Sequence, residues 1–192
     1  MELILQNIQA LIREKREAST AYPFMVAIDG RCASGKTTMA GALSEILHAP
    51  VVHMDDFFLR PQQRTPDRLA APGENIDHER FQEEVILPLV QGSVCTYAPF
   101  SCSTGDFLSP VTLMHDGLVI VEGTYALHKN LYPYYDLRFF LTVDPEEQMK
   151  RIRRRNGEAM ARIFESKWIP MEEAYFKEFS VTEKVHAVFS LK

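Results

Sequence analysis

Residues 25–40 read MVAIDGRCASGKTTMA, and this stretch decides how the rest of the chain is interpreted. Its apolar, β-prone start, residues 26–28, predicts a buried strand. Residues 30–37, GRCASGKT, then match the pattern G-x-x-x-x-G-K-[ST] at every fixed position. Apolar residues follow at helical spacing as far as Leu47. The pattern therefore lies between a strand and a helix, which is the context that a phosphate-binding loop requires.

The physical chemistry of residues 30–37, called the phosphate loop below, favours phosphate as its ligand. Gly30 and Gly35 allow the backbone to curl so that its N–H groups point inward, and the following helix N-terminus adds a partial positive charge. Lys36 is placed to reach the β- and γ-phosphates of a nucleotide, and the Thr37 hydroxyl to ligate Mg²⁺. The alternative is a glycine-rich turn that binds no ligand. We expect nucleotide contacts from the whole stretch: Gly30, Arg31, Cys32, Ala33, Ser34, Gly35, Lys36, Thr37 and Thr38.

Composition indicates a globular protein and argues against several partners. The length suits a single domain, residues 1–192, and 46% hydrophobic residues suffice for a core. The net charge of −5 argues against a nucleic-acid partner. We find no signal-peptide pattern and no apolar window of membrane-spanning length, so we expect no membrane partner. Three scattered cysteines indicate reduced thiols and a cytoplasmic protein. Cys32, inside the phosphate loop, is expected to have a lowered pKa and to react with thiol reagents.

Strands and helices are predicted to alternate along the chain. Beyond the first strand, four short apolar runs predict strands, at residues 51–54, 118–121, 137–143 and 187–191. Helical spacing of apolar residues, with helix-start signals at Asp77, Pro145 and Pro170, predicts helices between them. This order is typical of a three-layer α/β/α fold with a mostly parallel five-stranded sheet.

Three segments stand apart from this alternation. Residues 1–20 predict an amphipathic helix, packed on the domain edge or serving as the contact of a homo-oligomer. Residues 57–75, rich in proline and charge, predict a long functional loop. Residues 93–114 predict a small hairpin insert with a turn at 103–106.

Acidic residues follow two of the predicted strands. Asp55 and Asp56 come directly after residues 51–54, and Glu122 follows residues 118–121. The carboxyl ends of parallel strands meet at one edge of an open α/β sheet, where ligands bind. Beside a Mg²⁺–nucleotide, such acids supply a metal ligand and a base for an attacking hydroxyl. The alternative for each acid is a solvated turn or strand end.

Residues 150–167 are predicted to form a lid, because five of the six positions from 150 to 155 are cations in an acidic protein. Arg151 and Arg155 are four residues apart and share a helix face. We interpret them as closing over transferring phosphates, the alternative being a solvated face paired with nearby glutamates. We interpret Trp168 as packing rather than ligand stacking. The six histidines lack metal-ligand spacing, and we interpret them as structural.

The order of these motifs resembles that of a known family. GRCASGKTT, VVHMDDFF, NIDHERF, YAPF, VIVEG and LTVDPEEQMKRIRRRN together resemble the uridine kinase and phosphoribulokinase group of P-loop kinases. The resemblance runs from about Met25 through the last predicted strand and depends on order and spacing, not on one motif. The DDFF motif and the stretch Trp168-Ile169-Pro170-Met171 also resemble nicotinamide riboside kinases.

The resemblance implies the P-loop NTPase fold, with ATP and Mg²⁺ as cofactors. It implies that Asp55 accepts the proton of the acceptor hydroxyl and that Mg²⁺ lies near Thr37, Asp55 and Glu122. The catalytic residues that it implies are Asp55, Lys36, Glu122, Arg151 and Arg155.

The resemblance also implies a nucleoside-like small-molecule acceptor. Asp77 would hold ribose hydroxyls, Tyr97 would line the base pocket, and Asp56 would contact the substrate. This sequence differs from that of uridine kinases at two places. Cys102 stands where they have a histidine, five residues past the tyrosine, and Asp56 stands where they have a serine.

We therefore expect an ATP-dependent kinase that phosphorylates a hydroxyl, with the 5′-hydroxyl of a nucleoside as the first candidate. Nicotinamide riboside, a pantothenate-like compound and a sugar are alternative acceptors. A P-loop ATPase that acts as a regulatory switch is an alternative of a different class, with slow hydrolysis and no acceptor. The long loop and the hairpin favour the kinase, because a switch needs no walled acceptor pocket.

Overall fold

The computed structural model describes residues 2–191 and has a five-stranded parallel sheet at its centre. The strands are β1 (Phe24–Gly30), β2 (Val51–His53), β3 (Cys95–Tyr97), β4 (Phe100–Ser101), β5 (Asp106–Phe107), β6 (Val111–Leu113), β7 (Leu118–Glu122), β8 (Leu137–Thr142) and β9 (Ala187–Ser190). The helices are α1 (Glu2–Glu17), α2 (Lys36–Leu47), α3 (Pro66–Ala70), α4 (His78–Phe81), α5 (Leu87–Val90), α6 (Pro145–Ile163) and α7 (Ile169–Glu178). Two π-helical turns, Gln82–Ile86 and Phe164–Trp168, join helices that adjoin them.

The sheet has the strand order β2-β7-β1-β8-β9, and all four pairings are parallel. β1 lies in the middle, with Val26 opposite Ile120 of β7 and Leu137 of β8. Every residue of β1 and β7 is buried, which explains the continuous apolar runs 24–28 and 118–121 that precede Asp29 and Glu122. The phosphate loop therefore leaves the centre of the sheet at its carboxyl edge.

Alternate side chains of these strands enter two separate hydrophobic cores. Val26 and Ile28 pack with residues of α1 and α2, such as Ile8 and Met39. Ala27 belongs to the core on the other face, which contains residues of α4, α5 and α7. Helices thus cover both faces of the sheet, and the predicted three-layer α/β/α fold is confirmed.

The hairpin insert is also confirmed, and it consists of two short ladders. β3 pairs antiparallel with β6, with Cys95 opposite Leu113. β4 pairs antiparallel with β5, with Phe100 opposite Phe107. Cys95 and Tyr97 are buried in the core beside α4 and α5, so that the insert is anchored to the domain.

Helix starts follow the sequence signals more closely than helix interiors do. Asp144 caps α6 through hydrogen bonds from the backbone of Glu146 and Glu147, and Pro145 begins it. The helix predicted near Pro170 instead continues from α6 through the π-helical turn Phe164–Trp168. No helix among residues 2–191 is long and apolar enough to cross a membrane.

Candidate active site

A cavity of about 1070 Å³ opens at the carboxyl ends of β1, β2 and β7. The phosphate loop, the strand-end acids, the segment 58–75 and α6 all contribute to its wall. Of the predicted site residues, the following line it: Cys32, Ala33, Gly35, Lys36, Thr37, Thr38, Asp55, Glu122, Arg151 and Arg155. The structure therefore brings the predicted nucleotide, metal and lid residues into one wall.

The phosphate loop takes its shape from left-handed backbone at three positions. The φ angles are 141° at Gly30, 57° at Ala33 and 97° at Gly35. A Cβ atom at Gly30 would lie 2.0 Å from the carbonyl oxygen of Leu141 in β8, so only glycine fits there. The sheet thus positions the start of the loop, and the glycines allow it to turn.

Lys36 is buried and is held by uncharged oxygen atoms. Its Nζ donates to the carbonyl oxygens of Gly30 (2.8 Å) and Arg31 (2.9 Å) and to Oγ1 of Thr124 (3.2 Å). No carboxylate among residues 2–191 forms an ion pair with Lys36. Its positive charge therefore faces the cavity without a direct counter-ion, as a phosphate-binding lysine requires.

Two residues that were predicted to contact the nucleotide, Arg31 and Ser34, have side chains outside the cavity wall. The Arg31 guanidinium donates to both carboxylate oxygens of Glu173, at 2.7 and 2.9 Å, and to Thr142. Ser34 is fully buried, and neither residue is part of the cavity wall. The side chain of Arg31 ties the phosphate loop to α7.

Glu122 and Thr37 form a group suited to Mg²⁺. Thr37 Oγ1 donates to Oε1 of Glu122 at 3.1 Å, and Asp55 lines the cavity with them. Carboxylate and hydroxyl oxygens are the ligands that Mg²⁺ prefers, so these residues fit the predicted metal. Burial raises the pKa of Asp55 above its ordinary value, and the charge of Lys36 opposes that rise.

His53 also belongs to this group, although no motif in the sequence indicated it. Its Nδ1 lies 2.6 Å from Oε1 of Glu122, and its Cα is opposite that of Glu122 in the β2–β7 pairing. This hydrogen bond raises the pKa of His53. Only the pairing of two strands reveals the contact, because the residues are far apart in the sequence.

The predicted acceptor residues lie together but outside the cavity wall. The Tyr97 hydroxyl is 3.5 Å from Oδ2 of Asp56, and the Tyr97 ring packs on Phe57 with centroids 5.1 Å apart. Asp77 caps α4, as its position in the sequence predicted, by accepting a hydrogen bond from Arg80 N. None of the three predicted residues, Asp56, Asp77 and Tyr97, lines the cavity.

Arg151 contacts both a glutamate and the phosphate loop, so it fits both interpretations of the arginines in 150–155: a face paired with glutamates and a group that closes over phosphates. Arg151 donates from Nε to Glu147 at 2.9 Å and from Nη1 to the carbonyl oxygen of Ala33 at 3.3 Å, which brings it to the phosphate loop. Arg155 bonds to its neighbour Asn156. Just beyond it, Gly157 has non-helical angles, φ 79° and ψ 167°, which break α6 into two parts.

The expectation of a reactive Cys32 is wrong. The residue is buried, and burial together with the neighbouring Glu172 carboxylate raises the pKa of its thiol to about 12. Oε2 of Glu172 accepts a hydrogen bond from the Cys32 backbone N–H at 3.0 Å. The positive field of the phosphate loop is thus opposed by an acid of α7 that no motif indicated, and Glu172 also lines the cavity.

Trp168, interpreted as core or helix packing, lies at the edge of the core. Its ring is only partly buried and lines the cavity, with the Lys167 ammonium 4.5 Å from the ring centroid. Tyr175 and Phe176, in contrast, are buried in the core. Trp168 is the last residue of the π-helical turn Phe164–Trp168, whereas Tyr175 and Phe176 lie in α7.

Two histidines approach Glu74 and raise the question of a second metal site. Ligand atoms of Glu74, His78 and His128 lie within 4.8 Å of one another. The amide and the backbone N–H of Asn130 face Nδ1 of His78 (3.4 Å) and of His128 (3.3 Å), which assigns the proton of each neutral ring to Nε2. The rings are stacked, with centroids 4.0 Å apart and planes at 15°, so their Nε2 atoms do not converge on one ion. The interpretation of these histidines as structural remains the better one.

Several solved structures match over nearly the whole chain, and three of them are described here. A "possible uridine kinase" from Bacillus stearothermophilus is 21% identical with a TM-score of 0.70, covering 98% of this chain and 100% of that one. A "putative fructose transport system kinase" from Silicibacter sp. TM1040 is 20% identical with a TM-score of 0.77, covering 96% and 98%. A "putative P-loop containing kinase with a circular permutation" from Saccharomyces cerevisiae is 11% identical with a TM-score of 0.67, covering 100% and 99%.

No protein-family model matches the chain. At these identities the three likenesses show the fold alone, and at that level they agree with the resemblance found in the sequence. The chain therefore has the α/β fold of the uridine kinase-like P-loop kinases.

Proposed function

We propose that this protein is an ATP-dependent phosphotransferase that acts on the hydroxyl group of a small molecule. The observation that carries the proposal is the cavity itself, whose wall combines the phosphate loop, the Thr37–Glu122 group and the carboxylate of Asp55. A donor site alone would need no base. A base beside the donor site supports the transfer of a phosphoryl group to a second substrate.

In this proposal, Lys36 and the loop N–H groups bind the ATP phosphates, and Thr37, Asp55 and Glu122 hold Mg²⁺. When bound, Mg²⁺ neutralises charge on the β- and γ-phosphates. Asp55 accepts the proton of the acceptor hydroxyl. Arg151 and Arg155 stabilise the charge that develops during transfer. Alignment and electrostatics supply most of the acceleration, because phosphoryl transfer asks little covalent chemistry of the protein.

The acceptor in this proposal is first sought among nucleosides, because the sequence resembles that of uridine kinases. Nicotinamide riboside, pantothenate-like compounds and sugars follow as alternatives. A cytoplasmic location and a homo-oligomeric state are further proposals from the sequence. A regulatory ATPase is the competing function, and the size of the cavity favours the kinase, since about 1070 Å³ lies at the upper end of the range for pockets that hold one ligand.

The test is a screen of hydroxyl compounds for ADP release with Mg-ATP. We expect at least one compound to raise ADP release well above the rate without acceptor. If none did, the regulatory ATPase would be the better description.

The Asp55→Ala variant, assayed with the best acceptor, is expected to lose transfer almost completely while ATP binding changes little, because Asp55 acts on the acceptor proton. Asp67→Ala, at an exposed position of α3, is the matched control and should keep the wild-type rate. Unchanged turnover in Asp55→Ala would remove Asp55 from the mechanism.

A further inference from the structure

The carboxylate that the resemblance assigns to ribose hydroxyls is already bonded within the protein. Oδ1 of Asp77 accepts from Arg80 N at 3.1 Å, and Oδ2 accepts from Nε2 of Gln63 at 2.7 Å. Nη2 of Arg60 lies 3.7 Å from the same Oδ2, and the Asp77 side chain is only 3% exposed. A ribose diol could reach this acid only by displacing Gln63, which argues against recognition of a nucleoside at this position.

The arginines beside this acid differ in a way that points to another kind of acceptor. Arg60 pairs with Asp77, Arg68 with Glu74 and Glu79, and Arg80 with Glu84. Arg64 forms no ion pair with any carboxylate of residues 2–191. Of these four arginines it is also the one that lines the cavity.

The Arg64 guanidinium is held in place by neutral groups. Its Nε donates to the carbonyl oxygen of Leu59 at 2.9 Å, and Nη2 lies 3.5 Å from Sγ of Cys102 in the hairpin. Neither partner lies in the phosphate loop or in α6, whose cations are proposed to bind the donor nucleotide. The remaining N–H groups of Arg64 are thus positioned beside the segment that follows Asp55, where an acceptor would lie.

A fixed guanidinium with unused N–H groups is a binding site for a carboxylate or a phosphate, because its planar fork matches two oxygens of such an anion. Arg64 is exposed, but its anchored Nε and its place in the cavity wall distinguish it from an arginine that is bonded only to water. We infer that the acceptor carries an anionic group besides its hydroxyl and that Arg64 binds this group. The inference rests on the proposed phosphotransferase activity and narrows its substrate to hydroxy acids or phosphorylated hydroxyl compounds.

The experiment compares matched pairs of acceptors that differ in charge. Pantothenate is paired with panthenol, gluconate with glucose, and fructose 6-phosphate with fructose, and uridine represents the neutral nucleosides. We expect ADP release with an anionic member and a KM at least about tenfold higher for its neutral partner. In Arg64→Gln the KM for the anion should rise by about 10- to 100-fold with kcat less affected, and Arg64→Lys should recover part of the loss. Arg13→Gln on α1 is the matched control.

A second measurement needs no turnover. With the donor site saturated by Mg²⁺ and a non-hydrolysable ATP analogue, inorganic phosphate is titrated while the fluorescence of Trp168, the single tryptophan, is followed. We expect phosphate binding that weakens at least about tenfold in Arg64→Gln and not in Arg13→Gln.

The possible outcomes separate this inference from the proposed function. ADP release with neutral acceptors as efficient as with their anionic partners would overturn the inference and leave the kinase in place. Equal phosphate binding by wild type and Arg64→Gln would also overturn it. Phosphate binding that depends on Arg64, without ADP release for any compound, would overturn the kinase and retain the anion site.

Discussion

At Gly30, one hydrogen in place of a methyl group allows β8 to lie against the start of the phosphate loop. A Cβ atom there would meet the Leu141 carbonyl oxygen at 2.0 Å, and the φ of 141° already disfavours any other residue. We expect Gly30→Ala to lower the free energy of unfolding by about 3 kcal/mol or more, measured by urea denaturation.

Gly41 provides the matched control for this prediction. It lies within α2, and a Cβ atom added there would meet nothing within 4 Å. Gly41→Ala should therefore stabilise the protein, by about 0.5 to 1 kcal/mol, because alanine favours the helix. Equal effects of the two substitutions would contradict the assigned role of Gly30.

Single residues were predictable where a motif carries the chemistry. Lys36, Thr37 and Asp55 lie in the cavity wall because the motifs that identified them also determine their places at strand ends. His53 and Glu172 escaped notice, since each acts through a partner that is distant in sequence. The prediction of a low pKa for Cys32 was wrong for the same reason. The loop sequence indicated a positive field, whereas the burial of the thiol and its contact with Glu172 arise only in the folded protein.

At the scale of elements, the loop after β7 packs on α4 through the stacked pair of His128 and His78. His128 is fully buried, and its Nε2 has no hydrogen-bond partner among the described residues. Burial first, and then the charges of His78, Lys129 and Arg68, lower its pKa to about 3. Glu74 is the acid that faces it, at 3.7 Å.

This burial predicts a specific dependence of stability on pH. Between pH 6.5 and 3 the unfolded chain binds a proton at His128 and the native protein does not, so stability falls as the pH falls. We expect His128 to lower the free energy of unfolding by about 2 kcal/mol when the pH falls from 7.5 to 5. Urea denaturation of His128→Asn at the two pH values should show a difference in the free energy of unfolding that is smaller than the wild-type difference by about this amount. His48→Asn, at an exposed position, should retain the wild-type difference.

Element boundaries show what periodicity can and cannot reveal. Caps at Asp77 and Asp144 were readable because the cap residue itself forms the bond. The π-helical turns Gln82–Ile86 and Phe164–Trp168 were not, since one extra residue in a turn leaves no local signal. Trp168, which was interpreted as core or helix packing, is the last residue of the second turn and lines the cavity.

For the whole molecule, binding of Mg-ATP should be visible as added stability. A ligand present at about 100 times its Kd raises the free energy of unfolding by about 2.7 kcal/mol. We expect Mg-ATP to raise the Tm in thermal denaturation by several degrees. Lys36→Ala should lose most of this increase in Tm at the same Mg-ATP concentration, because the variant lacks the buried ammonium that is proposed to bind the phosphates. Lys15→Ala, on the exposed face of α1, should keep it.

The overall architecture was predictable because the central strands β1 and β7 contain continuous apolar runs, and alternation with helices leaves few parallel topologies. The acceptor half of the site was not. Asp77 is bonded to Gln63 and Tyr97 packs on Phe57, and the way the segment 57–75 folds back to make these contacts is not encoded in a local pattern.

The burial of Cys32 and Cys95 leaves Cys102 as the one exposed thiol of the chain, since the three cysteines are all described. Cys102 and Trp168 both line the cavity, from the hairpin and from the end of the lid. A maleimide dye will therefore attach at one known point, and energy transfer from the single tryptophan to that dye reports the width of the cavity. The distance between Trp168 and a dye on Cys102 can thus be followed without an engineered label position, and a shorter distance with bound Mg-ATP would support the proposed closing of α6.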